Sequence, residues 1–260
     1  MQKWQGFCSR RSVDPLSPSV NQVLEFLTEL YDSNCGYSAL NTARSALLAL
    51  ISLPGNISIG NHPLVSRFIK GVFQIRPALP RYSSVWDVNV VLKYLKTVAP
   101  ASSLLLKELS YKVTMLLLLL LSSQRLQTMK LLDIRNLSST GSSFSFLITE
   151  KVKQTRPGTH MQRLTFKAYA PDRRLCIYTN LKEYLSKTEK LRGQETQLLI
   201  SFNKPYKGVS KDTIARWAKT VLAKAGIDTT IFSAHSTRAA SVSAAKNKGA
   251  PLDTIMSTAG

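Results

Sequence analysis

Near the end of the chain stands Ala234-His235-Ser236-Thr237-Arg238, a histidine and an arginine three positions apart. On a helix, residues at i and i+3 share a face, so one turn would present an imidazole beside a guanidinium. At a helix N-terminus the pair would also meet backbone N–H groups and the positive end of the dipole, which suits a phosphate. Alone, H-x-x-R is a weak pattern, because the same pair also caps or braces helices. Two other basic stations precede it. Arg125, in Ser122–Thr128, falls at the end of a leucine-rich helix. A guanidinium there either serves a site or simply leaves the core along its apolar stem. Lys151, Lys153 and Arg156 crowd a turn sequence, Lys151–Gly158, equally at home on a solvated hairpin tip.

The charge points to a polyanionic partner. Thirty-five Lys and Arg against fifteen Asp and Glu give a net charge of +20 and a pI near 10.1. Each phosphate neutralised by such a surface releases condensed counterions. Residues 1–100 hold ten basic and five acidic side chains, residues 101–260 twenty-five and ten, so the second part carries most of the excess. Hydrophobic residues make up 44% of the chain, enough for packed cores. Cys8, Cys35 and Cys176 lie far apart and the three histidines are scattered, a distribution that argues against zinc and for reduced thiols in an intracellular setting. No signal pattern opens the chain. Val113–Leu121 is too short to cross a bilayer and reads as a buried helix, so no membrane association is expected.

The elements that would position these residues follow from hydrophobic period. Residues 1–16 read as an arm. Ser17 and Pro18 suit the cap and first turn of a helix with Val20, Val23, Leu24, Leu27 and Leu30 inward, ending at Asn34–Gly36. A second helix starts near Ser38, with Leu40, Ala43, Leu47 and Ile51 on one side, and Pro54-Gly55 stops it. Pro63 opens a third, with Leu64, Val65, Phe68, Ile69 and Val72 inward. Residues 17–76 are thus expected to form a small all-helical bundle, and residues 77–86, in a proline-bearing stretch without helical period, a linker. Residues 87–260 should form a mainly helical domain with one small antiparallel sheet. Asp87 caps its first helix, and Ser103–Ser122 is too rich in leucine for a one-sided stripe, so it should be surrounded. Alternation around Phe144–Ile148 and Leu164–Phe166 predicts two strands, and Leu198–Phe202 a short third. Helices return at about 176–191, 210–225 and 235–247.

This order resembles that of the tyrosine recombinases, or integrases: arginine at a helix end, lysine in a following β-turn, then H-x-x-R on a late helix. Arg125 precedes Lys153 by 28 residues, and Lys153 precedes His235 by 82. The stretches RWAKTVLAKAGID (216–228) and HSTRAASVSAA (235–245) look most like recombinases of DIRS-like mobile elements and their animal relatives. The resemblance implies a helical SAM-like core-binding domain over 17–76 and the family's catalytic domain over 87–260. It implies double-stranded DNA as partner, a nuclear place of action and no cofactor. A tyrosine hydroxyl attacks a DNA phosphodiester to give a 3′-phosphotyrosyl link, which conserves the bond energy. Arg125 and Arg238 match the arginines whose forked donors hold the non-bridging oxygens. Lys153 matches the turn lysine that protonates the leaving 5′-oxygen, with Lys151 as the alternative. His235 would handle a proton or bind the phosphate.

Two departures are visible. Thr128 stands where the family often has an acidic residue. The family's His or Trp follows the motif by about 23 residues and its Tyr by about nine more, which lands beyond Gly260. The expectation is a chain cut off before the nucleophile, since all nine tyrosines precede the motif; Tyr169, Tyr178, Tyr184 and Tyr206 read as structural. The family recombines as a tetramer with C-terminal segments docked between protomers, and these residues lack that segment, which counts against a stable homo-oligomer. The competing expectation is a DNA-binding protein derived from a mobile element that grips DNA without cleaving it.

Overall fold

The computed structural model describes residues 2–53, 57–79, 82–120, 126–150 and 163–251. The chain divides into two compact units, Met1–Arg81 and Tyr82–Gly260.

The first unit is built on four helices: α1 (Gln2–Arg11), α2 (Val20–Asp32), α3 (Tyr37–Leu48) and α4 (Pro63–Ile75). The expected arm is instead part of the core. Trp4, Phe7 and Cys8 of α1 are buried, and the Trp4 and Phe7 rings pack on Phe26 of α2 at centroid distances of 5.0 and 5.5 Å. Trp4 Nε1–H donates to Pro15 O (3.1 Å), which folds residues 12–16 back onto the helix. The basic pair Arg10-Arg11 hides this helix in the sequence, because three buried residues in ten leave little periodic signal. Helix α2 begins two residues later than expected, at a capping box: the Ser19 hydroxyl accepts from Gln22 N and the Gln22 side chain accepts from Ser19 N. Pro63 is the first residue of α4, as expected, but Leu64 is exposed. The buried stripe Val65–Ile69–Val72 runs at helical spacing, and Leu64 sits about 100° round from it. A two-residue antiparallel hairpin, β1 (Ser52–Leu53) with β2 (Ile57–Ser58), interrupts the expected all-helical bundle.

The second unit holds α5 (Val88–Thr97), α6 (Leu106–Leu120), α7 (Leu126–Lys130), α8 (Ile177–Glu189), α9 (Lys211–Lys224) and α10 (Ser236–Asn247). Asp87 caps α5 by accepting from Asn89 N. Helix α6 is surrounded, as its leucine density requires: α7, α8, α9 and α10 all pack against it. Strands β3 (Leu137–Thr140), β4 (Ser143–Phe146) and β5 (Leu164–Lys167) form an antiparallel meander in that order. Strand β3 escapes the alternation test because three of its four side chains are exposed. Phe144, Phe146 and Phe166 line the buried face, with Phe144 stacked on Tyr178 of α8 at 4.7 Å. Leu198–Phe202 is not a ladder strand. Leu198, Leu199 and Ile200 are buried, but pairing is confined to isolated bridges at Gln197 and Ile200.

The link between α5 and α6 runs over exposed carbonyls, and cations close it. Lys112, buried on α6, donates to Ala99 O (3.1 Å), and Lys187 of α8 donates to Ser102 O and Leu104 O (2.8 and 2.7 Å). Burial pushes the Lys112 ammonium below its usual range, with Arg174 acting the same way and Asp172 opposing. Asp172 ties the end of α5 to the segment before α8, meeting Lys96 Nζ at 3.3 Å and Arg174 Nε at 3.2 Å. The Arg174 side-chain bond, with help from Arg174 N–H and Lys96, lowers the Asp172 carboxyl to about 2.

Two outcomes follow. Trp4→Ala should lower the stability of the first unit by about 3–5 kcal/mol in urea unfolding, whereas a true arm would tolerate it with no change. A carboxyl with a depressed folded value contributes stability above its unfolded value, 3.8, and loses it as pH falls through about 2. Asp172→Asn should therefore flatten the acid limb of the urea midpoint between about pH 4 and pH 2; an unchanged limb would show that other carboxylates carry it.

Candidate phosphate-binding site

The route into the H-x-x-R helix is built from local hydrogen bonds. Just past the end of α9 and its C-cap Ala225 stands Gly226, whose φ of +86° favours glycine, and Ile227 N donates back to Leu222 O at 3.0 Å. Asp228 Oδ1 then accepts from Thr230 N and Thr230 Oγ1 (2.8 and 2.6 Å), and Asp228 O accepts from Phe232 N. These bonds turn the chain through Ser233 and Ala234 into α10.

His235 occupies the N-cap position and is exposed, and its side chain makes no capping bond. The capping alternative for this histidine is therefore removed. Arg238, three residues on, is partly buried. The first turn is tighter than an ideal α-helix: Ser236 N donates to Ser233 O (2.9 Å), Thr237 N to Ala234 O (3.4 Å) and Arg238 N to His235 O (3.3 Å). The amides expected to face a phosphate thus already have carbonyl partners. Any anion here is held chiefly by side chains. Helix α10 turns a face of small residues inward, Ser236, Thr237, Ala240 and Ser241, which lets it lie close against α6. The hydroxyls of Thr114, Thr237 and Ser241 are buried with no hydrogen-bond partner among the described residues.

The structure brings together His235 and Arg238. Arg125, Lys151 and Lys153 lie outside the described residues. Their flanks are described. Leu126 starts α7 directly after Arg125, and Phe146 of β4 pairs with Leu164 of β5, so the two ends of the segment bearing Lys151 and Lys153 lie side by side. Thr128, at the position where an acid was anticipated, is buried on α7. Tyr184 is fully buried, its hydroxyl accepts from Ile200 N at 3.0 Å, and burial raises its pKa, consistent with a structural role. Tyr178 stacks on Phe144 and donates to Thr140 O at 3.4 Å.

Two features escaped the sequence reading. Tyr82 and Trp86, assigned to the linker, belong to the second unit and bond to Ser233 and Ser236 at the turn before α10. Large aromatic residues in a proline-rich stretch were the only available signal. The second is a cleft of about 530 Å³ at the start of α9, where Lys207 and Arg216 flank the rings of Tyr111, Phe202 and Trp217. Among the described residues no group of three or more His, Cys, Asp or Glu side chains could hold a metal, and no helix is long and apolar enough to cross a membrane.

Unpartnered buried hydroxyls cost stability, whereas an isosteric apolar group does not. Thr237→Val and Thr114→Val should each leave the thermal midpoint unchanged or raise it; a fall of several degrees would show that these hydroxyls hold a bonded water or side chain.

No family model and no curated protein matches the sequence. Solved structures do match. The fold is similar to that of the XerH site-specific recombinase bound to palindromic difH substrate in a post-cleavage complex, with a TM-score of 0.60 at 17% identity, over 93% of this chain and 65% of that one. It is also similar to lambda integrase bound to DNA, with a TM-score of 0.54 at 13% identity, over 100% of this chain and 83% of that fragment. A lambda integrase dimer on a COC′ core site matches with a TM-score of 0.52 at 14% identity. The chain thus spans about two thirds of the XerH chain's length, and the likeness is one of fold. A mostly helical chain with a three-stranded antiparallel sheet is the architecture it shares with the tyrosine recombinases.

Proposed function

We propose that this chain binds double-stranded DNA and orients a scissile phosphate for the strand exchange of site-specific recombination. One observation carries the reading. The residue pair with the chemistry to hold a phosphate, His235 and Arg238, opens a late helix of a fold shared with DNA-bound recombinases. Arg125 and Lys153, with Lys151 as the alternative, complete the set by sequence order. A guanidinium presents paired donors to two non-bridging oxygens, and a lysine gives a proton to the departing 5′-oxygen. Together they supply the positive charge that a pentacoordinate phosphorus needs, without a metal. Lys207 and Arg216 at the cleft beside α9 add cations for the flanking backbone. The net charge of +20 supports the same partner.

A second reading is that of a DNA-binding protein that grips and orients the phosphate without forming a phosphotyrosyl link; it is supported by the commitment of Tyr178 and Tyr184 to the fold, one stacked on Phe144 and the other fully buried. The kinship with DIRS-like mobile elements, and with it a nuclear place of action, rests on the sequence stretches 216–228 and 235–245.

Fluorescence-anisotropy titration of a labelled duplex over a salt series tests the binding reading. Affinity should fall steeply with salt, and Arg238→Ala, Lys207→Ala and Arg216→Ala should each reduce the slope of log K against log salt by about one. Denaturing gels of the same mixtures separate the two readings: a covalent adduct supports strand cleavage, and its absence supports the second reading. Binding indifferent to salt would exclude the reading, and an adduct would exclude the non-cleaving form of it.

A further inference from the structure

The turn that presents His235 and Arg238 is held from one side by a five-residue segment at the very start of the second unit. Tyr82 OH and Ser233 Oγ are 2.7 Å apart, and the Tyr82 ring lies 5.7 Å from that of Phe232. Trp86 Nε1–H donates to Ser236 Oγ at 2.9 Å, in a buried contact, and Ser236 Oγ–H donates in turn to Ser233 O at 2.6 Å. Trp86 is 6% exposed and Ser236 only 2%. The serine hydroxyl thus accepts one bond and donates another, which leaves it one rotamer. Together these contacts bracket Phe232–Ser236, with His235 inside the bracket and Arg238 two residues beyond it.

We propose that residues 82–86 act as a positioning strap for the phosphate-binding pair, with Trp86 and Tyr82 as positioning residues that set the turn from which His235 and Arg238 project. This rests on the anion-binding reading of those two residues. Three observations support it. The His235 side chain makes no capping bond, so the direction of its ring follows from the backbone of the turn. Two of the three first-turn amides make long bonds, 3.3 Å at Arg238 and 3.4 Å at Thr237, so the short bonds of this turn, Ser236 N to Ser233 O (2.9 Å) and the two at Ser236 Oγ, converge on Ser236. The inward face of α10 is made of small side chains, so it lacks the large apolar anchors that would otherwise hold the helix start in place. Tyr82 and Trp86 both belong to the second unit, as does the turn they hold.

The test uses the full chain with labelled histidine, following the His235 imidazole resonances by NMR as inorganic phosphate is added; His235→Gln identifies them. If the anion reading holds, phosphate shifts the wild-type His235 signals to saturation and Arg238→Ala abolishes the response. A wild-type His235 indifferent to phosphate overturns that reading, and the strap with it. Given a wild-type response, Trp86→Phe and Ser236→Ala, which each remove one side of the same bond, should weaken the phosphate titration at His235 about fivefold. The double variant should be no weaker than Ser236→Ala alone, which already removes this bond together with the one to Ser233 O. Thermal midpoints should fall by a few degrees at most. Tyr82→Phe, which deletes a single oxygen, should move the titration in the same direction, and it decides the matter if Trp86→Phe fails to fold. Folded variants with a wild-type His235 response overturn the strap. So does an additive loss in the double variant, which would mean two independent structural effects.

Discussion

Helix α6 is apolar or otherwise buried on every side, and that fact organises the second unit. Its buried residues include neighbours in sequence, Leu109 with Ser110 and the unbroken run Lys112–Leu118, so no single face can be given to solvent. A helix of this kind has to be enclosed, and α7, α8, α9 and α10 enclose it. Enclosure brings polar side chains inside as well. Lys112 finds backbone carbonyls at the end of α5, and Thr114 finds no partner among the described residues. The same enclosure places the candidate site's helix: α10, with His235 at its N-cap and Arg238 in its first turn, lies against the side of α6.

Around that helix the positive charge of the chain does two kinds of work. Some cations are structural. Lys187 and Lys112 satisfy carbonyls of the α5–α6 link, and Arg192, 8% exposed, donates to Gln197 O and to Thr188 Oγ1. These groups are committed to backbone carbonyls and, for Arg192, also to a buried hydroxyl, and they contribute to fold. Others stand at the surface, and it is those that the proposed polyanionic partner would meet. The net charge alone therefore overstates the binding surface, because part of it is spent holding loops closed.

Much of the fold was legible. The helices at 177–189, 211–224 and 236–247 follow from period and from cap residues, and Asp87 and Pro63 occupy the positions their chemistry favours. Failures came where tertiary contacts outvote local pattern. Helix α1 is anchored by Trp4, Phe7 and Cys8 despite basic neighbours, because an aromatic cluster with Phe26 stabilises more than a weak local preference costs. Leu198–Phe202 has the composition of a strand, yet no neighbouring strand is offered to it, and its backbone pairs only at isolated bridges. The H-x-x-R pair is a candidate by type and spacing alone, whereas the contacts of Tyr82 with Ser233 and of Trp86 with Ser236 are not legible, since residues some 150 positions apart share no local signal.

Sequence by itself determined the residue types of the candidate site, their order and most of the helices of a mainly helical fold, because period, charge and caps act over a few residues. Only the tertiary structure decided how the site's turn is held. A histidine without a capping bond at an N-cap, amides already bonded within the turn and a distant tryptophan on a buried serine all depend on which segments meet in space. The physical reason is the range of the interactions. A hydrogen bond between Trp86 and Ser236 forms only after α5 and α10 have packed, and nothing local to either residue encodes it.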